Sequence, residues 1–254
     1  MIMKKLATVL LSFLFIASFA KAQKDNSKED EKIYNKLANM YTMDKFAACI
    51  KACDDYIKND NTARSPYPYL YMSMCYYSIF QDQESFDMKL YKDPLRKAVN
   101  FMGRFKKKDK GGELQQENED YLRDLKKGVL LELANLNDKK DIKMLQSLSR
   151  DVAKNYDKDE GMLIISGVYL LRADVKLEGE RNIETGMNYL KKKKSEDNLK
   201  FSFDDADVLS QAFIQYAEYL NDTKNEASAK TTIAFAKEVL PNSEKLAKYA
   251  DNMK

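Results

Sequence analysis

The chain has 254 residues, with 43 basic and 40 acidic side chains and no histidine or tryptophan. Without histidine, a Ser–His–acid triad, a Cys–His dyad and a histidine-ligated metal site are all excluded, so catalysis would have to rest on carboxylates, lysine or tyrosine. Only eight glycines and four prolines occur, which favours long helices over a turn-rich β fold.

The N-terminus has the features of a secretory signal peptide. Two lysines in the first five residues precede an apolar run over 6–19, and small residues two positions apart end at Ala22. The run is shorter than the roughly twenty apolar residues that a membrane-spanning helix needs. The sequence therefore predicts a signal peptide over 1–22 with cleavage before Gln23, then a flexible segment 23–29. The protein would be periplasmic or secreted, with membrane contact at most peripheral.

Cleavage would remove three lysines and no acid, leaving a mature chain with a formal charge near zero. Nucleic-acid binding requires a net basic surface that releases counterions, so no nucleic-acid partner is predicted. Two basic runs, 104–110 and 191–194, fall at the ends of predicted helices. Positive charge there complements the helix dipole, and contact with acidic partners or anionic lipid headgroups is the alternative.

Apolar residues recur at intervals of three and four, the period of an amphipathic helix, and no sustained alternation indicates a strand. Pro66 and Pro94 suit first helical turns. The predicted helices are 30–42, 44–59, 66–80, 94–107, 113–136, 140–156, 159–175, 179–194, 205–221, 224–239 and 242–252. Short connections pair them into five antiparallel hairpins plus one final helix.

The last hairpin carries the sharpest internal pattern, in which small residues alternate with bulky ones on one face of each helix. These positions are Phe213, Tyr216, Ala217, Leu220, Ala229, Ile233, Ala236 and Pro241. Small residues let two helices approach closely, and large ones fill the space beside them. The pattern resembles the tetratricopeptide repeat (TPR). The resemblance implies an all-α solenoid of about five TPR-like hairpins over 30–254, with 242–252 as a capping helix.

The other hairpins match this pattern only in part. The fourth has Ile165, Ser166 and Tyr169 in its first helix, followed by Gly186 and Leu190 in its second. The segment 113–156 fits worst, so its register stays open. The resemblance thus covers most of the chain as architecture and only 213–241 as a specific motif.

Three cysteines lie in the first two predicted hairpins. Cys49 and Cys53 are four residues apart on one helix, and Cys75 lies on the next hairpin. Free cysteine often packs in a core, and this is the first interpretation. A disulfide joining Cys75 to Cys49 or Cys53 is the second, because an oxidising compartment would permit it. A metal site is the third, although no other soft ligand accompanies the thiols.

One predicted helix, 66–80, is crowded with tyrosines. Tyr69 and Tyr76 share the stripe expected to face the core, whereas Tyr67, Tyr71 and Tyr77 are not all expected to be buried. Aromatic side chains with a polar tip are favoured at protein interfaces. The last three are therefore candidate partner-binding residues, with partly buried hairpin packing as the alternative.

The acidic clusters do not indicate a catalytic or metal site. None has the order of ligands of an EF-hand, and Asp159, Asp204 and Asp205 are interpreted as helix N-caps. No cofactor is predicted. The leading hypothesis is a non-catalytic scaffold or adaptor that binds a protein or peptide on the concave face of the solenoid. The alternatives are a structural subunit of an outer-membrane secretion or biogenesis assembly, and a histidine-free glycan-active enzyme using two carboxylates.

Overall fold

The computed structural model describes residues 28–253. The predicted signal peptide over 1–22 and most of the predicted flexible segment 23–29 lie outside them. The described residues form an all-α fold with twelve α-helices and one short 3-10 helix.

The helices follow the predicted order closely. Their bounds are α1 28–42, α2 Phe46–Lys58, α3 Tyr67–Gln81, α4 Pro94–Lys108, α5 Glu113–Glu117, α6 Glu119–Asp138, α7 Ile142–Asn155, α8 Glu160–Arg172, α9 Lys176–Ser195, α10 Phe203–Asp222, α11 Glu226–Val239 and α12 Glu244–Asn252. The 3-10 helix is Gln83–Ser85, between α3 and α4. One predicted helix, 113–136, is interrupted at Asn118 and forms α5 and α6.

Side-chain caps explain where several helices begin. The Asp159 carboxylate accepts a hydrogen bond from the Met162 backbone N–H at 3.0 Å, so Asp159 caps α8. The interpretation of Asp204 and Asp205 as caps is wrong. Ser202 is the cap of α10, because its extended backbone precedes the helix and its hydroxyl accepts from the Asp205 N–H at 3.1 Å. The two aspartates lie in the first turn, where negative charge favours the helix dipole.

The chain forms two compact units, the first ending at Leu114 and the second beginning at Gln115. In the first unit, α3 packs against both α2 and α4. Ile33 and Leu37 of α1 lie in the same buried cluster as Cys49 of α2 and Met72 of α3. The Ser73 hydroxyl donates to the Ala98 carbonyl at 2.7 Å, which ties α3 to α4.

In the second unit the helices pack in sequential order. The antiparallel pairs are α6 with α7, α8 with α9 and α10 with α11, and α12 packs against both α10 and α11. Helix α8 is the centre of the unit, because it contacts α6, α7, α9 and α10. Every residue of α8 from Glu160 to Leu171 is buried. Helix α8 therefore presents no exposed side chain between Glu160 and Leu171.

Glycine sets the distance between α8 and α9. A Cβ atom added at Gly167 would lie 2.7 Å from the Gly179 carbonyl oxygen, and one at Gly179 would lie 2.8 Å from the Gly167 oxygen. A Cβ at Gly186 would meet the Glu160 carbonyl oxygen at 2.9 Å. These distances are shorter than real Cβ contacts, so the two helices meet backbone to backbone.

The same three positions recur in the next hairpin. Ala217, Ala229 and Ala236 follow Gly167, Gly179 and Gly186 by fifty residues each, and all six are buried. In the α8–α9 hairpin, the residues equivalent to Ala217 and Ala229 are therefore Gly167 and Gly179. The sequence suggested a different alignment of this hairpin to the repeat, through Ser166 and Tyr169.

Candidate functional site

A cavity of about 180 Å³ opens in the second unit where the N-termini of α8 and α10 meet the C-terminal part of α9. Its walls include Asp159, Glu160, Lys193, Phe201, Asp205 and Leu209. The Lys193 ammonium lies 5.3 Å from the centre of the Phe201 ring, a cation–π contact between α9 and the loop that follows it. The cavity is thus assembled from three separate stretches of the chain.

Ion pairs with lysines fix the acidic side chains in the wall of the cavity. The Lys126 ammonium of α6 lies 2.6 Å from an Asp159 carboxylate oxygen and 2.8 Å from an Asp205 oxygen. The Lys193 ammonium lies 2.6 Å from a carboxylate oxygen of the buried Glu160. Each of the three acids in the wall therefore has a lysine partner.

Electrostatics favour the ionised forms of Lys126 and Asp205. Burial opposes the charge of Asp205, but the hydrogen bond and positive charge of Lys126, with a hydrogen bond from Ser202, hold the pKa of Asp205 below its ordinary value. Burial also opposes the charge of Lys126, yet Asp159 and then Asp205 raise the pKa of Lys126. An acid held in its ionised form is a poor proton donor, so Asp205 is not suited to act as a general acid.

The rim of the cavity carries charge that is not neutralised locally. Lys158 and Lys200 are exposed, and no carboxylate between residues 28 and 253 forms an ion pair with either. Phe203, the first residue of α10, follows the wall residue Phe201 by two positions and is 88 % exposed. Two unpaired cations therefore line the cavity, and an uncovered aromatic ring follows close behind the wall in sequence.

The candidate partner-binding tyrosines lie elsewhere, in the first unit. Tyr71 is 7 % exposed and Tyr77 is 8 % exposed, while Tyr67 is half-buried. The Tyr34 ring centre lies 5.3 Å from that of Tyr67 and 6.3 Å from that of Tyr71, and the ring of Tyr41 lies 6.0 Å from that of Tyr71. These contacts are those of helix packing, and Tyr71 and Tyr77 offer little surface to a partner.

The predicted repeat-packing residues lie in α10, in α11 and just after α11. The buried ones are Phe213, Ala217, Leu220, Ala229, Ile233 and Ala236. Tyr216 is half-buried, and Pro241 is exposed two residues after α11 ends at Val239. The Phe213 and Phe235 rings meet edge to face with centres 6.1 Å apart, which fills the space beside the alanines.

The three cysteines come together in the core of the first unit as free thiols. Cys49, Cys53 and Cys75 are fully buried in one cluster, and the Cys49 sulfur lies 3.8 Å from the Leu37 carbonyl oxygen. Hydrogen bonds from Cys53 and then Cys75 lower the pKa of Cys49. The hydrogen bond to Cys49, followed by burial, raises the pKa of both Cys53 and Cys75. Over residues 28–253 no group of three or more histidine, cysteine, aspartate or glutamate side chains is arranged to hold a metal ion.

Sequence reasoning missed the cavity. The run 191–194 was interpreted as helix-end charge, and nothing local links Lys126 to Asp205, which is 79 residues away. The one available signal was Phe201 and Phe203, two aromatic residues in a stretch otherwise interpreted as loop.

Comparisons with protein-family models, with curated proteins and with solved structures found no match. Within the described part of the chain, no helix is both long enough and apolar enough to cross a membrane.

Proposed function

We propose that this chain is an exported, non-catalytic scaffold that binds a protein or peptide, and that its hairpins form a TPR-like solenoid capped by α12. Three features support the repeat. Within the second unit successive hairpins pack in order, small residues recur at the same spacing in α8–α9 and α10–α11, and α12 covers the last pair. Its location in the periplasm or outside the cell follows from the signal peptide predicted over 1–22.

The binding surface we propose is the rim of the cavity in the second unit, not a concave face that includes α8. Helix α8 has no exposed side chain from Glu160 to Leu171 to offer a partner. At the rim, Lys158 and Lys200 are unpaired within the described chain, and Phe203 projects into solvent. A partner segment that carries acidic and apolar side chains complements this combination.

The side chains that surround this surface favour binding because contacts within the protein already hold them in place. Lys126 is held by two aspartates, and Lys193 is held by Glu160 and the Phe201 ring. A receptor whose side chains are fixed before the partner arrives loses little conformational entropy on binding. The single observation that carries the proposal is the 88 % exposure of Phe203, three positions after the unpaired Lys200 of the cavity.

Site-specific photo-crosslinking in intact cells tests the proposal. A photoreactive residue replaces Phe203, and a matched control replaces Leu177, which is 81 % exposed at the opposite end of α9 from Lys193. The control lies about 24 Å along the helix axis from Lys193, at 1.5 Å per residue. We expect a discrete crosslinked protein from position 203 and not from position 177.

Charge reversal then tests the lysines. Lys158→Glu together with Lys200→Glu should abolish the crosslink from position 203, because both substitutions repel an acidic partner. Equal labelling at both positions, or labelling insensitive to the charge reversal, would contradict a binding surface at this rim. A crosslinked partner that also copurifies in a fixed stoichiometry would favour the structural-subunit alternative over an adaptor.

A further inference from the structure

Helix α4 of the first unit concentrates positive charge. Between Pro94 and Lys108 it has two arginines, four lysines and no acidic residue, although the whole chain is nearly balanced at 43 basic to 40 acidic side chains. The apolar side chains of α4 are buried or half-buried, and its exposed residues are all basic: Arg104, Lys107 and Lys108. The solvent-exposed part of α4 is therefore a cationic surface.

Aromatic rings of α3 and α4 hold two of the cations in place. The Lys97 ammonium lies 4.9 Å from the centre of the Tyr76 ring, and the Arg104 guanidinium lies 5.2 Å from the centre of the Phe101 ring. The two rings stack, with centres 5.9 Å apart and planes 6° from parallel. Cation–π contacts position a cation without neutralising its charge. The two positive charges are thus fixed and still available to a ligand.

A third cation extends this arrangement to the end of the helix. The Lys108 ammonium lies 5.5 Å from the centre of the Tyr69 ring. Lys108 follows Arg104 by four residues and Lys97 by eleven, so the three cations share one face of α4. At 1.5 Å per residue they cover about 16 Å of the helix axis. We call Lys97, Arg104 and Lys108 the α4 row.

The α4 row is not neutralised by acids of the protein. Among residues 28–253, no carboxylate forms an ion pair with any of its three members. The basic run 191–194 of α9 differs, because three of its four lysines pair with glutamates. The helix dipole does not explain the α4 row either, since Lys97 lies in the first turn, where positive charge is unfavourable. The row can therefore attract an anionic ligand.

We propose that the α4 row is a docking surface for the anionic headgroups of a phospholipid bilayer. Protein interfaces have an apolar centre and are depleted in lysine, whereas every exposed side chain of α4 is basic. A cluster of roughly four to eight basic residues on one helix is typical of binding to anionic lipid. The contact is peripheral, because Leu95, Val99 and Met102 are already buried within the unit and no apolar face is left to insert. It does not depend on the peptide-binding cavity, which lies in the second unit.

Sedimentation with lipid vesicles tests the proposal. The chain 23–254 is used, because the apolar run over 6–19 would itself bind lipid. We expect it to sediment with vesicles of mixed phosphatidylglycerol and phosphatidylcholine and not with vesicles of phosphatidylcholine alone, since only the first are anionic. Raising the salt to about 1 M, where the Debye length is about 3 Å, should release it. Equal binding to both kinds of vesicle, or binding to neither, would refute an anionic-lipid surface.

Charge removal then locates the contact. A row variant replaces the three cations with glutamine: Lys97→Gln, Arg104→Gln and Lys108→Gln. It should bind the anionic vesicles about 100-fold more weakly, because each basic residue near the surface contributes about a factor of five. The exposed pair alone, Arg104→Gln with Lys108→Gln, should weaken binding about 25-fold, which keeps the test valid should the row variant not fold by circular dichroism.

A matched control removes the same charge from exposed lysines that have carboxylate partners: Lys192→Gln, Lys194→Gln and Lys245→Gln. We expect its affinity for the anionic vesicles to change by less than about threefold, because charges away from the contact are screened beyond a Debye length. Equal weakening in the control and the row variant would show that net charge alone drives binding, and would overturn the assignment to α4.

An acidic protein partner is distinguished with immobilised polyglutamate. We expect the chain 23–254 to leave polyglutamate at a lower salt concentration than the one that releases it from the anionic vesicles. Stronger retention on polyglutamate than on vesicles, abolished in the row variant, would assign the α4 row to an acidic protein and overturn the lipid proposal. The row variant should still give the crosslink from position 203, because that surface lies in the other unit.

Discussion

In two hairpins of the second unit, different residue types occupy the positions where the paired helices meet. In α8–α9 the fourth residue of the second helix is Gly179, and Gly167 lies twelve residues before it. In α6–α7 the same two positions hold Leu145 and Leu133, both fully buried. Packing is extensive between α8 and α9 and much sparser between α6 and α7. Glycine lets the backbones meet, whereas leucine fills a wider gap with its side chain.

The difference also changes how each hairpin is attached to its neighbours. Helix α8 is enclosed by apolar contacts, while α6 reaches across to α8 and α10 with charged side chains. Lys126 pairs with Asp159 and Asp205, and Arg123 pairs with Asp204 at 3.5 Å. A hairpin with loose internal packing can therefore be fixed from outside by ion pairs. The comparison gives three predictions of decreasing size.

The largest effect is expected where side-chain volume fills the gap. Leu145→Ala removes a fully buried side chain from the contact between α6 and α7. The free energy of unfolding should fall by about 3 kcal/mol, from lost burial and the cavity that remains. Urea denaturation followed by circular dichroism measures it, with Leu131→Ala, 65 % exposed on α6, as the control. The control should change stability by no more than about 0.5 kcal/mol. A loss in Leu145→Ala as small as that expected of the control would show that the packing of α6 on α7 does not depend on Leu145.

An added methyl group should destabilise the α8–α9 hairpin, whereas the α6–α7 hairpin is destabilised by loss of side-chain volume. In Gly179→Ala the new Cβ would lie 2.8 Å from the Gly167 carbonyl oxygen and 2.8 Å from the Leu171 Cγ, so the helices must separate. We expect a loss of about 2 kcal/mol in the free energy of unfolding, net of the better helix propensity of alanine. The same urea titration measures it. Gly111→Ala, whose Cβ would have its nearest contact at 3.8 Å, is the control. A stabilised Gly179→Ala variant would contradict the close approach.

The smallest effect concerns the ion pairs of α6. Lys126→Met leaves Asp159 and Asp205 without their cation and should cost at most about 1 kcal/mol near neutral pH, because the Asp205 side chain is 49 % exposed and its pair is screened by water. The folded-state pKa of Asp205 lies below the ordinary aspartate value of 3.8. Its contribution to stability is therefore complete above about pH 4 and is lost as the pH falls further.

The difference in unfolding free energy between wild type and Lys126→Met should accordingly be constant from pH 5 to pH 8 and shrink below about pH 4. Lys158→Met is the matched control, because Lys158 has no ion-pair partner within 28–253. It should leave the pH dependence unchanged. Parallel curves for wild type and Lys126→Met down to pH 2 would show that this network contributes nothing to stability.

Local signals in the sequence located the helices well. Pro94 opens α4 as expected, and the predicted end at 107 differs from the observed Lys108 by one residue. Two features of the packing that were not predicted also had signals in the sequence. Helices α3 and α8 are apolar on nearly every face, and a helix that is hydrophobic all round is buried. That rule would have placed Tyr71 and Tyr77 in the core and enclosed α8.

The sequence by itself determined the all-α class, the order of the helices and the small residues that let them approach, because helical periodicity and capping depend on neighbours within a few positions. Only the tertiary structure decided which distant groups meet. It brings Lys126 to Asp205, forms the cavity lined by Lys193 and Phe201, and gathers the three cysteines in one buried cluster. Those contacts depend on which helix faces pack together, and the packing energy is shared among many side chains spread along the whole chain.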